Sequence, residues 1–172
     1  DAGASGHALS YLRMHSAAKL TFTGRGLVRR EIDNIDRLLR DAESTAIHVV
    51  ALPEDMPLCE AQTVVERLAD EPALPIGALL VNRRLNVGPA DADVAIEQLA
   101  ALADAPPARD ALLATLRWRR ARELREEQAV ARFARVVARP VTSLPQLYRD
   151  DGGALSCGDL QPLVDRLATV CL

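Results

Sequence analysis

The segment AIHVVALPEDMPLCEAQTVVERLADEPALPIGALLV, residues 46–81, decides the fold. It opens with a short apolar, partly β-branched run that Pro53 ends, and it closes with a second apolar run at residues 76–81. Runs of this length and composition are typical of buried strands. Between them, residues 58–69 carry apolar side chains at helical spacing. A strand, a helix and a second strand in this order predict a right-handed crossover and a parallel sheet.

The same alternation continues outward from this segment in both directions. A weaker third strand is predicted at residues 134–141, which contain Pro140 near their end. Helices are predicted at residues 27–40, 91–103, 109–133 and 159–170. The sequence therefore predicts an α/β fold with a parallel sheet and helices on both faces. Since three strands are few for such a sheet, we expect residues outside this chain to complete it.

Composition excludes several classes of protein. The chain has 172 residues, is 49% hydrophobic and 26% charged, and carries a formal net charge of −3. These values argue against a disordered or collagen-like chain, and against a nucleic-acid partner. No apolar run approaches the roughly 20 residues of a transmembrane helix. The three cysteines are widely spaced and odd in number, which favours reduced thiols and a cytoplasmic location, with peripheral membrane association also open.

The stretch DAGASGHALSYL, residues 1–12, has the residue types of a phosphate-binding loop. A loop containing glycine and serine leads into a helix whose apolar marks are Leu9 and Leu12. In open α/β sheets ligands bind beyond the carboxyl ends of the strands. There an acidic residue can hold the water shell of Mg²⁺, and small residues let backbone N–H groups approach a phosphate. The alternative is a solvated loop and helix start with no ligand.

This stretch resembles the D-T-A-P-T-G-H-T-L signature of the arsenite-pump (anion-transporting) and tail-anchored-protein-targeting ATPases, which are dimeric P-loop ATPases with a deviant Walker motif. Asp1, Gly6 and His7 match the signature, whereas Ala2–Ser5 replace its Thr, Ala, Pro and Thr. The resemblance implies that Asp1 is a catalytic residue that positions Mg²⁺ through water. It also implies that the loop containing Gly3, Ser5 and Gly6 follows the γ-phosphate of ATP.

Three later segments resemble the same family in the same order. Residues 48–68 resemble its strand, P-E loop and following helix, and LLVNRRL at residues 79–85 resembles its I-V-N-Q-L. The resemblance implies that Asn82 recognises adenine, a role that suits an amide because it is both donor and acceptor. ARVVARP, ending at Pro140, resembles the strand whose terminal proline lies beside the base. The alternative for Asn82 is a turn residue that bonds its own backbone.

The arginine run and the two cysteines outside the carboxyl terminus each allow two interpretations. The helix at residues 116–127 resembles a family helix with an aromatic residue and many bases, and its arginines at positions 117–125 are interpreted as a solvated face or a dimer contact. Cys59 and Cys157 are either plain thiols or ligands of the kind that metalloid-binding family members use.

A P-loop of the G-K-G-G-x-G-K-[ST] kind is absent from the sequence. Lys19 is the only lysine, and Gly24 and Gly26 follow it without a second one. The resemblance therefore implies that residues 1–172 are the carboxyl-terminal portion of one ATPase domain of roughly 300 residues, beginning at the switch II motif.

These patterns and the resemblance indicate two alternative functions. The first is an ATP-binding and ATP-hydrolysing homodimeric switch, with ATP and Mg²⁺ as cofactors and no activity in this chain alone. The second is a non-catalytic interaction module that keeps the fold and dimerises without hydrolysis, which the replacements at Ala2–Ser5 and Arg83 favour. Neither identifies the cargo.

Overall fold

The fold is built on a three-stranded parallel sheet in the order β1-β2-β3. The computed structural model describes residues 5–24, 26–70, 74–85, 92–102, 108–148 and 153–171. The strands are β1 (Ile47–Ala51), β2 (Ile76–Arg84) and β3 (Val141–Pro145). The helices are α1 (Ser5–Thr21), α2 (Leu27–Arg40), α3 (Asp55–Asp70), α4 (Ala92–Ala101), α5 (Arg109–Val137) and α6 (Cys157–Cys171). The predicted α/β class and parallel sheet are confirmed.

Helices α3 and α5 pack on one face of the sheet and form the main core with it. Leu79 and Val81 of β2 are almost fully buried there, against Leu58 and Val65 of α3 and Phe133 of α5. Each buried aliphatic or aromatic side chain of this size contributes roughly 1.5–3 kcal/mol through removal of apolar surface from water. This layer fixes the positions of β1 and β2 relative to α5.

The opposite face of the sheet is covered only in part. Leu80 and Leu144 are buried on that side, where α6 contacts β2 and β3. Val50 of β1, which lies on the same face because side chains alternate along a strand, remains 58% exposed.

A smaller cluster joins the α1–α2 hairpin to the rest of the chain. Leu9 of α1 is buried against Leu68 at the end of α3 and Leu74 just before β2. Leu12 and Leu39 pack against the same cluster. The predicted apolar marks of α1 are therefore confirmed as the residues that fix this helix.

The third strand lies later in the chain than predicted. Residues 134–137 continue α5, and β3 begins only at Val141. Val130 and Phe133 are buried and Val137 packs beside them, so the apolar side chains keep the helical spacing of three and four residues. Ala138, with a φ of 49°, ends the helix in the left-handed region. Pro140, which lacks an N–H donor, lies in the connection between α5 and β3.

Candidate functional site

The carboxyl ends of the three parallel strands form the edge of the sheet at which the sequence places a ligand. Asn82 lies there, among the last residues of β2, as predicted. The register between β2 and β3 shifts between Val81 and Arg84, and Arg83 has a left-handed φ of 61°. At this irregularity the Arg83 N–H donates a hydrogen bond of 2.8 Å to Oδ1 of Asn82. The side chain therefore bonds its own backbone, which is the turn role that the sequence left open.

Pro140 and Asn82 lie at different edges of the sheet. Pro140 precedes β3, and the first residue of that strand, Val141, pairs with Leu79 rather than with Asn82. The predicted strand would have ended at Pro140, and that position is wrong because α5 extends to Val137. The proline at the carboxyl end of β3 is Pro145, which pairs with Arg84.

The amino-terminal site residues are described only in part. Asp1 and Gly3 lie outside the described residues. Ser5 and Gly6, predicted as part of a loop, form the first turn of α1. The predicted Mg²⁺ and γ-phosphate contacts stay predictions that rest on the resemblance.

A cavity of about 320 Å³ opens at the carboxyl edge between the β1–α3 loop and α5. Pro53, Glu54 and Asp55 form one wall, and the other wall is a stripe along α5. The stripe residues are Trp118, Arg122, Arg125, Glu126 and Ala129. Their spacing of four, three, one and three residues places them on one face of the helix. We refer to this cavity as the Trp118 pocket.

Glu126 forms the buried polar floor of the Trp118 pocket, with only 3% of its surface exposed. Its Oε2 accepts a hydrogen bond of 2.9 Å from the N–H of Leu85, which follows β2. Its Oε1 accepts one of 3.0 Å from Nε of Arg122. Both oxygens are satisfied, as a buried carboxylate requires. Glu126 thereby ties the segment after β2 to the middle of α5.

Arginines of α5 also contact the loop after β1. Arg132 donates to Oδ1 of Asp55 at 2.7 Å, and Arg122 lies 3.9 Å from Oε1 of Glu54. The Arg122 guanidinium also lies 5.7 Å from the centre of the Trp118 ring, a distance at which a cation attracts an aromatic face. Leu85 after β2, and Glu54 and Asp55 after β1, thus all contact the same helix.

Part of the arginine run is paired within the chain. Arg120 donates to Asp93 of α4 at 2.9 Å and to Glu123 at 2.7 Å, and these hydrogen bonds raise the pKa of Arg120. By contrast, Arg125 is exposed and makes no hydrogen bond or ion pair with any residue that the structure describes. The predicted solvated face therefore describes only some of these arginines.

Sequence reasoning missed the Trp118 pocket, although a signal for it was present. Glu126 shares a helical stripe with Ala129, Val130 and Phe133, all of which are buried. A carboxylate within such an apolar stripe indicates a buried partner, here the Leu85 N–H. The partner itself could not be read from the sequence because it comes from 41 residues away.

No group of three or more His, Cys, Asp or Glu side chains that could hold a metal ion occurs among the described residues. Cys59 and Cys157 are exposed free thiols on α3 and α6. No helix within the described ranges is both long and apolar enough to cross a membrane.

The chain matches no known protein-family profile and no curated protein sequence.

Proposed function

We propose that this chain is the base-binding portion of an ATP-dependent dimeric switch that resembles the arsenite-pump and tail-anchored-protein-targeting ATPases. The observation that carries the proposal is the meeting of three predicted elements at one edge. The P-E loop at Glu54, the strand end at Asn82 and the aromatic helix at Trp118 all border the carboxyl edge of one parallel sheet. Ligands of open α/β sheets bind at this edge.

The described residues fit the base end of a nucleotide. An amide at Asn82, a proline at the end of β3 and an indole at Trp118 offer hydrogen bonds and flat apolar surface. The role that the resemblance implies for Pro140 gains no support, because Pro140 precedes β3 and lies at the other edge of the sheet. Asp1, the residue to which the resemblance assigns Mg²⁺, lies outside the described residues.

Two contacts with one helix support a switch role. Leu85 after β2 contacts Glu126, and Asp55 at the start of α3 contacts Arg132, so α5 is held at two points of the carboxyl edge. A ligand that displaces Leu85 or Asp55 changes these contacts and thereby biases the position of α5. Bound ATP would supply the cleavable phosphate, whereas the residues of this chain hold the base and transmit the change.

ATP hydrolysis is tested on the 172-residue chain, and ATP binding is tested on a longer polypeptide. The 172-residue chain has no P-loop in its sequence, so we expect no ATP turnover above background, and turnover would contradict the proposal.

The polypeptide that also includes the residues encoded before Asp1 is expected to contain a two-lysine P-loop. It should bind ATP and dimerise, as measured by calorimetry and analytical ultracentrifugation. Asn82→Ala should weaken ATP binding in that polypeptide, and unchanged affinity would remove the adenine role of Asn82.

A second candidate is a non-catalytic interaction module that dimerises without hydrolysis. The hydrogen bond from Arg83 to Oδ1 of Asn82 favours it, because that oxygen is already engaged by the chain itself. Under this alternative the longer polypeptide dimerises equally with and without ATP. Nucleotide-dependent dimerisation would exclude it.

A further inference from the structure

The Trp118 pocket has the size and position of a small-ligand site. Its volume of about 320 Å³ is at the lower end of the range for small-molecule sites, which is roughly 300–1,000 Å³. It lies at the carboxyl edge of the sheet, and Leu85 brings the end of β2 to its buried floor through Glu126. A ligand here would contact the loop after β1 and α5 at the same time.

The walls of the pocket suit a flat aromatic ring. The Trp118 side chain is 56% exposed, although indole is among the most apolar surfaces that a protein can bury. Pro53 and Ala129, both buried, form apolar surface next to it. Stacking of a base on an aromatic side chain contributes roughly 1–3 kcal/mol in single-stranded nucleic-acid complexes, and the same chemistry applies to a free nucleotide.

The charges of the pocket favour an anionic group on that ring. Arg122 is already engaged by Glu126, by Glu54 and by the indole. Arg125 is different, because its guanidinium makes no hydrogen bond or ion pair with any described residue. A guanidinium binds phosphate through paired N–H donors. The pocket therefore combines an exposed indole with one arginine that is available to an anion.

We propose that the Trp118 pocket binds a purine mononucleotide, with the ring stacked on Trp118 and the phosphate bound by Arg125. The identity of the ring as a purine rests on the proposed nucleotide function, whereas the pocket itself rests on the contacts above. The base then lies against α5 and the β1–α3 loop rather than against Asn82 alone. Glu54, whose side chain is 59% exposed, is positioned to accept a hydrogen bond from a ribose hydroxyl.

Trp118 is the only tryptophan in the chain, so its fluorescence reports on this pocket alone. AMP is titrated into the 172-residue chain, with adenosine and ribose 5-phosphate as the two halves of the ligand. Binding is measured in parallel by equilibrium dialysis. We expect AMP to quench Trp118 emission with the same saturation curve that dialysis gives. Arg125→Gln should weaken AMP binding by roughly fivefold to tenfold and leave adenosine binding unchanged.

Two controls separate this site from the alternatives. Arg135→Gln removes an exposed arginine of α5 that does not line the pocket and should leave AMP binding unchanged. Trp118→Phe keeps a ring and should retain binding by dialysis, whereas Trp118→Ala should lose most of it.

The outcomes distinguish this proposal from the proposed function. AMP binding by dialysis that leaves Trp118 emission unchanged and is lost in Asn82→Ala overturns the pocket and keeps the nucleotide function. Equal losses for Arg125→Gln and Arg135→Gln overturn the phosphate contact, because they show a general charge effect. No binding of AMP to the 172-residue chain by either method overturns the pocket, whereas the nucleotide function is overturned only if the longer polypeptide also fails to bind ATP.

Discussion

At the residue scale, Gly77 and His48 form an interlocked pair on the first two strands. A Cβ at Gly77 would lie 2.9 Å from Cε1 and 3.0 Å from Nδ1 of the His48 ring. The same Nδ1 accepts a hydrogen bond of 3.0 Å from the N–H of Ala78. The imidazole thus accepts the hydrogen bond of the Ala78 N–H in place of a backbone carbonyl, at the point where the register between β1 and β2 shifts. It also fills the space that a side chain at position 77 would need.

Gly77→Ala should therefore destabilise the fold. The added methyl group forces the ring away or shifts the strand, at a cost of roughly 1–3 kcal/mol. Urea unfolding measures this cost directly. In a His48→Ala background the ring is absent, so the same substitution should cost clearly less. Equal costs in the two backgrounds would show that the ring is not the obstacle.

Glu126 makes the buried hydrogen bonds that join Leu85 and Arg122 at the candidate site. Glu126→Ala leaves the Leu85 N–H without its buried acceptor, which should lower the free energy of unfolding by roughly 1–3 kcal/mol. Glu127→Ala, a change at the exposed neighbouring residue, should stay within about 0.5 kcal/mol of the parent chain. The two variants are compared by urea unfolding, and a similar small effect of both would contradict the buried role of Glu126.

At the element scale, the bounds of helices and strands could be predicted where the spacing of apolar residues was unambiguous. The prediction was wrong where residues with strand propensity continue a helical spacing. Helix α2 has the predicted bounds, and the strands at residues 46–52 and 76–81 were found within one to three residues. The third strand was misplaced because ARVVA has β-branched residues, whereas its apolar positions continue the helical stripe of Phe133. The β-branched side chains favour a strand locally, but packing of this stretch against the core stabilises the helix instead. The position of Asn82 near the end of β2 could likewise be predicted from the apolar run that precedes it. Its hydrogen bond with the Arg83 N–H could not, because that bond depends on the left-handed backbone at Arg83.

The α1–α2 hairpin is held together by a charge cluster that depends on pH. Burial opposes ionisation of Asp36, but hydrogen bonds from Lys19 at 2.5 Å and Arg40 at 2.7 Å outweigh it and lower the pKa of Asp36 from 3.8 to about 2. Because the folded-state pKa lies below the unfolded one, the cluster stabilises the hairpin fully above pH 4. This contribution is lost as the pH falls through about 2.

The Asp36→Asn variant tests this cluster. Above pH 4 it should be less stable than the parent chain by about 1 kcal/mol, after allowance for solvent screening, and the difference should shrink as the pH falls through about 2. Circular dichroism at 222 nm follows urea unfolding at each pH, with Glu31→Gln as an exposed control on the same helix. A difference that stays constant over this pH range would contradict the ionic origin of the effect.

At the scale of the whole molecule, the described residues cover one face of the sheet more completely than the other. Val49 of β1 packs against the core under α3, whereas Val50 on the opposite face is 58% exposed on a strand that forms the edge of the described sheet. Exposed apolar edge strands promote association between chains. The expectation that residues outside this chain complete the sheet stays a prediction, and Val50 marks an exposed apolar position on the edge strand of the described sheet.

Val50→Lys should therefore reduce self-association at high protein concentration, with a change in stability within about 0.5 kcal/mol. Light scattering measures the association and urea unfolding the stability. Val49→Lys is the matched control, since it places a charge in the core and should unfold the chain. Comparable loss of stability in both variants would mean that Val50 is buried in solution.

A nucleotide bound at the carboxyl edge of the sheet protects the backbone amides of that edge from exchange. Amide hydrogen exchange of the 172-residue chain, with and without saturating AMP, measures this residue by residue. We expect slower exchange at residues 54–55, at residues 82–85 and along α5 from Trp118 to Ala129. We expect no change at the opposite edge, including the connection around Pro140. No protection anywhere, or protection confined to the amino-terminal edge of the strands, would contradict nucleotide binding at the carboxyl edge.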